Sequence, residues 1–121
     1  MTKTQVETAT GDRVGKVRIR PAIPQPVCEF TGSNGNHLAT VRVLQFATGA
    51  AAIAAVDYYV PPDASNPETR VPGWTGGAMR TDSGSIVAVC KGIYAVVADS
   101  NQETTVDTRQ LVIAAVAALA L

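Results

Sequence analysis

The residue types that carry most catalytic and metal chemistry are scarce in this sequence. It has one histidine, His37, and two cysteines, Cys28 and Cys90, which lie far apart without a CxxC spacing. These residues do not form a zinc or redox motif, and no GxSxG, HExxH, phosphate-loop or GxGxxG motif accompanies them. Asp63 and Glu68 are candidates for paired carboxylates, but nothing around them marks an acid and a base. We therefore expect no enzymatic activity, no cofactor, no metal and two buried thiols.

An excess of charge of either sign is also lacking. Ten Lys and Arg residues balance ten Asp and Glu residues, and charged residues make up only 17% of the 121 residues. This balance excludes a strongly basic nucleic-acid-binding arm, although a local basic face remains compatible with it. A charged fraction below the usual value of about 25% indicates that part of the surface is covered by assembly with another chain.

No hydrophobic run is long enough to cross a membrane. The longest apolar segment spans 111–121, eleven residues, whereas a transmembrane helix needs about 20. The N-terminal segment MTKTQVETATGDRV is polar where a signal peptide would be apolar. The sequence therefore predicts a soluble protein that is made in the cytosol.

Alternating apolar and polar residues predict two β-hairpins in the first half of the chain. The first lies within residues 1–20 and turns at Gly11-Asp12. After the proline-rich connector PAIPQP, the segments VCEFT and HLATVRVLQF flank an Asn-Gly turn, which is typical of a hairpin. In the second of these strands Thr40 and Arg42 alternate with apolar residues, which predicts one polar and one core face.

The middle of the chain is harder to assign. The alanines of residues 50–55 suit a helix, whereas residues 56–60 suit a strand; the bounding Gly49 and Pro61 lead us to predict a strand. Residues 61–82 are rich in proline and glycine and predict a long functional loop. Trp74 in this loop either anchors a partner or is covered by the loop itself. A single long, central strand is predicted over 83–98.

The C-terminal segment predicts a helix over 105–121 with Asp107 and Gln110 near its start. Because this helix has no polar face after Gln110, both of its sides have to be buried, and one small sheet covers only one of them. A second copy of the chain is the nearest candidate for the other side. The order of elements is that of a single α+β domain over 1–121, with a sheet over 27–98.

This order resembles that of the coat proteins of single-stranded RNA bacteriophages, the leviviruses. The resemblance is carried by TQVETATGDRVGKVRIRP, VCEFTGSNGNHLATVRVLQF, DYYVPP and YAVVADSNQETTVDTRQLVIAAVAALAL. It implies a homodimer in which the C-terminal helix packs over the partner's sheet, and dimers that form an icosahedral shell around single-stranded viral RNA. The implied location is the virion, assembled in the cytoplasm of the host bacterium. The implied dimer helix residues are Leu111, Val112, Val116 and Leu119.

The resemblance also implies an RNA-binding sheet face and loops that meet between subunits. The matching RNA-binding positions are Thr40, Arg42, Tyr59 and Lys91, which could also bind a genomic hairpin and repress translation. The matching inter-subunit loop residues are Pro72, Gly73, Trp74, Gly76 and Gly77. The basic residues of VGKVRIR are implied to face other subunits or solvent. Two alternatives remain open: a head-decoration or tail-tube subunit without RNA binding, and a small-molecule-binding or enzymatic domain, which would need a concave pocket.

Overall fold

The structure, a computed structural model, describes residues 7, 14–20, 27–32, 37–68, 71–101 and 105–119. These residues form a mixed α+β domain, which confirms the predicted fold class. The elements in chain order are β1 (Val14–Arg20), β2 (Val27–Gly32), β3 (His37–Gln45), α1 (Gly49–Tyr59), β4 (Asn66–Glu68), β5 (Thr75–Thr81), β6 (Gly84–Lys91), β7 (Tyr94–Ser100) and α2 (Thr105–Leu119).

All strands belong to one seven-stranded antiparallel sheet with the order β1-β2-β3-β7-β6-β5-β4. The first three strands and the last four each form a meander, and α1 connects them. The two meanders meet where β3 pairs with β7, with Val41 opposite Ala98. The hairpin predicted from the Asn-Gly turn is confirmed by the pairing of β2 with β3.

The N-terminal part of the chain differs from the expected hairpin. The predicted first strand within residues 1–20 lies outside the described residues, except for Glu7, which is helical. The second predicted strand is β1, and its partner in the structure is β2. Among the described strands β1 is therefore at one edge of the sheet, and basic positions such as those in its sequence are common in edge strands.

The strand predicted between Gly49 and Pro61 is wrong, because the segment forms helix α1. The hydroxyl oxygen of Thr48 caps the helix by accepting a hydrogen bond from the amide of Ala51 at 3.1 Å. Five alanines favour the helix from within, and Ala52 and Val56, one turn apart, are buried against the sheet. These helical signals outweigh the preference of the terminal aromatic and β-branched residues for a strand.

The long loop predicted over 61–82 is only partly a loop, because it contains β4 and β5. Gly76 lies in β5, where a Cβ atom would overlap the main-chain oxygen of Ala88 on β6. This glycine thus permits close approach of two strands. The predicted long strand over 83–98 is also corrected: it is two antiparallel strands, β6 and β7, joined by a turn in which Gly92 has φ 60°.

Among the described residues, one helix packs on each face of the sheet. α1 packs over β5, β6 and β7 on one face, and α2 packs mainly over β6 and β7 on the other. Alternate residues of the central strands serve the two cores, so that Val87 and Val89 face α2 while Ala88 and Cys90 face α1. Cys90 is a free, buried thiol, as predicted, whereas the side chain of Cys28 lies outside the description.

The expectation that the C-terminal helix covers a partner's sheet is corrected, because α2 packs on the sheet of its own chain. Its buried residues Thr108, Leu111, Val112 and Ala115 follow a helical spacing and line one face. The hydroxyl of Thr108 is 2.5 Å from that of Ser85 and 2.7 Å from that of Ser100, which fastens the helix to β6 and β7.

The other predicted dimer residues of α2 have a weaker role in this packing. Val116 is half-buried against the α2-side core, and the side chain of Leu119 is not described. Two outward residues of the described part, Ala114 and Ala117, are small, and Val106 near the start of the helix is 49% exposed. Leu111 and Val112 are fully buried without a second sheet.

Candidate binding surfaces

Metal-ligating side chains are not clustered in the described residues. No group of three or more His, Cys, Asp or Glu side chains within them could hold a metal ion, and none of their helices is long and apolar enough to span a bilayer. The two carboxylates singled out above, those of Asp63 and Glu68, lie in different surroundings. Asp63 is exposed in a turn, whereas Glu68 is buried in β4 and accepts a hydrogen bond from Nε of Arg109 at 2.8 Å.

Two of the predicted RNA-binding residues share the face of β3 that lies on the α1 side of the sheet. Thr40 is buried and Arg42 is half-buried. Thr40 stands between Glu29 of β2 and Asp99 of β7 in one row across the sheet. Arg42 stands in the next row of this face, two residues along β3. The hydroxyl-bearing Thr40 thus stands between two acidic positions.

The register brings further basic positions into these rows. Arg18 of β1 is opposite Glu29, and Arg20 is opposite Val27, which in turn is opposite Arg42. Arg18 therefore stands at the end of the row that contains Thr40. In the next row, Arg20 and Arg42 stand on either side of Val27. The two rows together hold three arginine positions and two acidic positions, Glu29 and Asp99.

The remaining predicted RNA-binding residues are elsewhere. Lys91 is exposed and alternates with Val87 and Val89, so it belongs to the α2 side of the sheet, opposite to Arg42. Tyr59 is on α1 and not on a strand; it is half-buried against the α1-side core, with its ring 5.3 Å from that of Tyr58 in an edge-on contact. The predicted surface of four residues is therefore divided between three places.

The predicted inter-subunit loop is divided as well. Pro72 and Gly73 are exposed in a turn, and Gly73 has φ 81°, a conformation that favours glycine. Trp74 is buried in the α2-side core, so the chain covers its own tryptophan, the second of the two alternatives. Gly76 and Gly77 belong to β5. Of the five residues, only the first two remain on an exposed turn.

A surface that the sequence interpretation missed is the outer face of α1. We define it by the exposed residues Ala50, Ile53, Ala54, Asp57 and Tyr58. Ile53 is 55% exposed and Tyr58 is 80% exposed, and Val106 of α2 is the other large hydrophobic residue exposed in the described part of the chain. The spacing of the apolar residues among these five would have indicated this face if the segment had been assigned to a helix.

A small pocket adjoins the C-terminal end of this face. It has a volume of about 140 Å³ and lies between the end of α1 and strands β4 and β5. We call it the Asp57 pocket. Its lining residues are Val56, Asp57, Val60, Pro62, Ser65, Pro67, Gly76 and Gly77.

A second concave region lies at the opposite face, where β4 meets the first turns of α2. It is a groove of about 420 Å³ that contains the ion pair of Glu68 and Arg109 at its base and the exposed Val106 among its lining residues. Both members of the pair are largely shielded from solvent, with 2% and 13% of their side-chain surface exposed. The pair joins the edge strand to α2.

Comparison with known proteins gives a family for the whole chain. The family model described as a domain of unknown function, DUF2020, matches residues 1–121. The chain belongs to the DUF2020 family. A search of the curated proteins found no match.

Two surface features stand out in the described part of this DUF2020 chain. The outer face of α1 presents apolar groups with a single charge, and the Asp57 pocket beside it is too small for most cofactors. The buried polar side chains of the described residues all have hydrogen-bond partners. The candidate binding sites of the described residues are therefore on the surface and not in the interior.

Proposed function

We propose that this DUF2020 chain is a non-enzymatic structural subunit that associates with further copies of itself through the outer face of α1. The observation that carries the proposal is the exposure of Ile53 and Tyr58 on a helix face with only one charge, Asp57. Aromatic and aliphatic side chains of this kind are enriched at the centres of protein interfaces. The low charged fraction of the chain, 17%, agrees with partial coverage of its surface.

A two-fold pairing of α1 with α1 suits this face. In such a pairing the same patch serves both copies, and the small residues Ala50 and Ala54 let the helix axes approach closely. Burial of Ile53 and Tyr58 would contribute roughly 1 to 2 kcal/mol each, since each is already partly covered. A helix of 11 residues is only about 16 Å long, so the contact is smaller than a standard interface. We therefore expect weak association that depends on concentration.

Replacing Ile53 with Glu should abolish this self-association, because it places a charge at the centre of an apolar contact. Sedimentation equilibrium over a series of protein concentrations measures the effect. We expect the average mass of the wild-type chain to rise above the 12.6 kDa of one chain as concentration increases. The mass of Ile53→Glu should stay at the single-chain value throughout.

Val106→Glu is the matched control, because Val106 is also an exposed hydrophobic residue, 49% exposed, but lies on α2. Its association should equal that of the wild type. Circular dichroism should show both variants folded, since both positions are exposed. Equal association of Ile53→Glu and the wild type would contradict the proposed interface.

The RNA-phage coat function is the finer form of this proposal and requires an RNA-binding surface in addition. Support for such a surface comes from Arg42, which is half-buried on the α1 side of β3. Arginine contacts to phosphate give affinity that does not depend on sequence. An interlocked dimer through α2 gains no support from Leu111 and Val112, since both are buried in the core of their own chain. Shell contacts would have to use α1 and other surfaces.

Substitution of Arg42 and of Lys91, one at a time, tests RNA binding. We expect Arg42→Gln to weaken binding of a fluorescent single-stranded RNA and to reduce the slope of log affinity against log salt concentration by about 0.7, the loss of one phosphate contact. Lys91→Gln, on the opposite side of the sheet, should change neither quantity. Fluorescence anisotropy from 50 to 200 mM salt measures both. Equal effects of the two variants, or no binding by the wild type, would reject this surface and favour a virion subunit without RNA binding.

A further inference from the structure

We infer that the Asp57 pocket receives the side chain of a lysine or arginine from a partner polypeptide. This inference goes beyond the proposed self-association, because it concerns a concave site beside the outer face of α1 and a cationic group. It rests on three features of the pocket: its apolar wall, its fixed shape and its single charge.

The wall of the pocket suits an aliphatic chain. Pro62 and Pro67 are exposed and supply most of the apolar surface, whereas Val56 and Val60 add only small exposed fractions, 4% and 2%. The volume of about 140 Å³ is close to that of an engineered apolar cavity, about 150 Å³, that binds benzene. One amino-acid side chain fits such a space, whereas a nucleotide or a drug-sized ligand does not.

Local hydrogen bonds fix the shape of the pocket. The hydroxyl of Ser65 donates to the main-chain oxygens of Pro61, at 2.8 Å, and Val60, at 3.1 Å. The amide of Val60 continues the helical bonding by donating to the oxygen of Val56 at 2.8 Å. These bonds hold the segment after α1 in place, so little ordering is required when a side chain enters.

Gly77 lets the wall of the pocket pack closely against β5. A Cβ atom at this position would lie 2.8 Å from the hydroxyl oxygen of Ser65 and 3.1 Å from Cγ2 of Val60. Any residue other than glycine would therefore displace these two residues. The glycine thus contributes to the fixed shape of the pocket.

Asp57 gives the pocket its preference for a cation. It is the only ionisable residue among those that line the pocket, and it is exposed. Lysine and arginine have an apolar stem that can lie along Pro62 and Pro67 and a charged end that can stay near water beside a carboxylate. An acidic side chain would be repelled, and an uncharged aliphatic one would gain no attraction from the carboxylate.

Titration of the ¹⁵N-labelled chain with short peptides tests the inference. The probes are capped tripeptides with arginine, lysine, norleucine or glutamate between two glycines, added at protein concentrations at which sedimentation gives the single-chain mass. We expect the arginine and lysine peptides to shift the amide signals of the pocket residues, with weaker shifts for norleucine and none for glutamate. A failure of self-association leaves this result unaffected, because the two measurements use different readouts.

The matched variants are Asp57→Asn and Asp63→Asn. Asp63 is exposed and lies six residues further along the chain but does not line the pocket. Asp57→Asn should weaken binding of the arginine peptide roughly twofold to fivefold, as for loss of an exposed ion pair, without altering that of norleucine. Asp63→Asn should change neither. Equal binding of arginine and norleucine, equal effects of the two variants, or no shifts at the pocket would each overturn the inference.

Discussion

Leu111→Ala is expected to lower the free energy of unfolding by about 2 to 5 kcal/mol, the cost of truncating a fully buried leucine. Leu111 has no exposed surface and belongs to the core between α2 and the sheet, where Val112 lies beside it. Removing its side chain leaves a cavity that the paired strands β6 and β7 cannot easily fill, because their positions are fixed by the sheet. Denaturation by urea, monitored by circular dichroism, measures the loss.

Val106→Ala is the control for this prediction, because the residue is on the same helix but exposed. Its effect on the free energy of unfolding should stay within about 0.5 kcal/mol. The Leu111→Ala variant should keep the concentration dependence of mass seen for the wild type under conditions in which it is folded. A small change in stability together with a loss of self-association would place α2 in the interface and contradict the packing described above.

Glu68→Ala is expected to cost about 3 kcal/mol of stability, at the lower end of the range for breaking a buried ion pair. Its carboxylate is 2% exposed and bonds to Arg109, which is 13% exposed. When Glu68 is removed, the guanidinium of Arg109 remains shielded from most water but has lost this carboxylate. The slight exposure of Arg109 places the expected loss at the lower end of the range. Urea denaturation at low and high salt measures it.

The double replacement Glu68→Met with Arg109→Leu is the control for the ion pair. Apolar residues of similar volume avoid the buried charge, so the double variant should be more stable than Glu68→Ala and within about 1 kcal/mol of the wild type. Glu68→Ala as stable as the wild type would show that the pair does not hold the edge strand to α2. A double variant less stable than Glu68→Ala would show that the charges themselves are required.

The alternation of β2 and β3 and the helix near the C-terminus were predictable because each is governed by local patterns. An Asn-Gly turn between alternating segments sets a hairpin, and residues with helical capping chemistry precede the apolar run that forms α2. The packing of α2 on the sheet of its own chain could not be predicted from local patterns. It depends on the extent of the sheet, which includes β4 and β5, and both lie where proline and glycine predicted a loop.

Glycine accounts for two of the errors in the sequence interpretation. Gly76 indicates a loop by composition, but in the structure it allows close approach of β5 and β6. Gly92 is inside an apolar run, yet it forms the turn between two strands with φ 60°. A glycine signal does not by itself distinguish a turn from a close contact, because both uses require the absence of a Cβ atom.

The candidate site was predicted in part. Thr40 and Arg42 were correctly assigned to one face of β3, because alternation along a strand is a local property. Lys91 was placed with them only through the assumption of one long strand, and Tyr59 through the assumption of a strand over 49–60. The outer face of α1 was missed for the same reason, since its residues share a face only in a helix.

Sedimentation velocity of the nuclease-treated wild-type chain, with detection at 260 and 280 nm and electron microscopy of each fraction, tests whether the chain associates with itself. We expect the sedimentation coefficient to rise with concentration above that of a 12.6 kDa chain. Uniform closed particles that contain RNA would extend this result to a coat, and protein-only rings or tubes to another virion subunit. A single boundary at the single-chain mass at every concentration would show that the chain does not associate through α1.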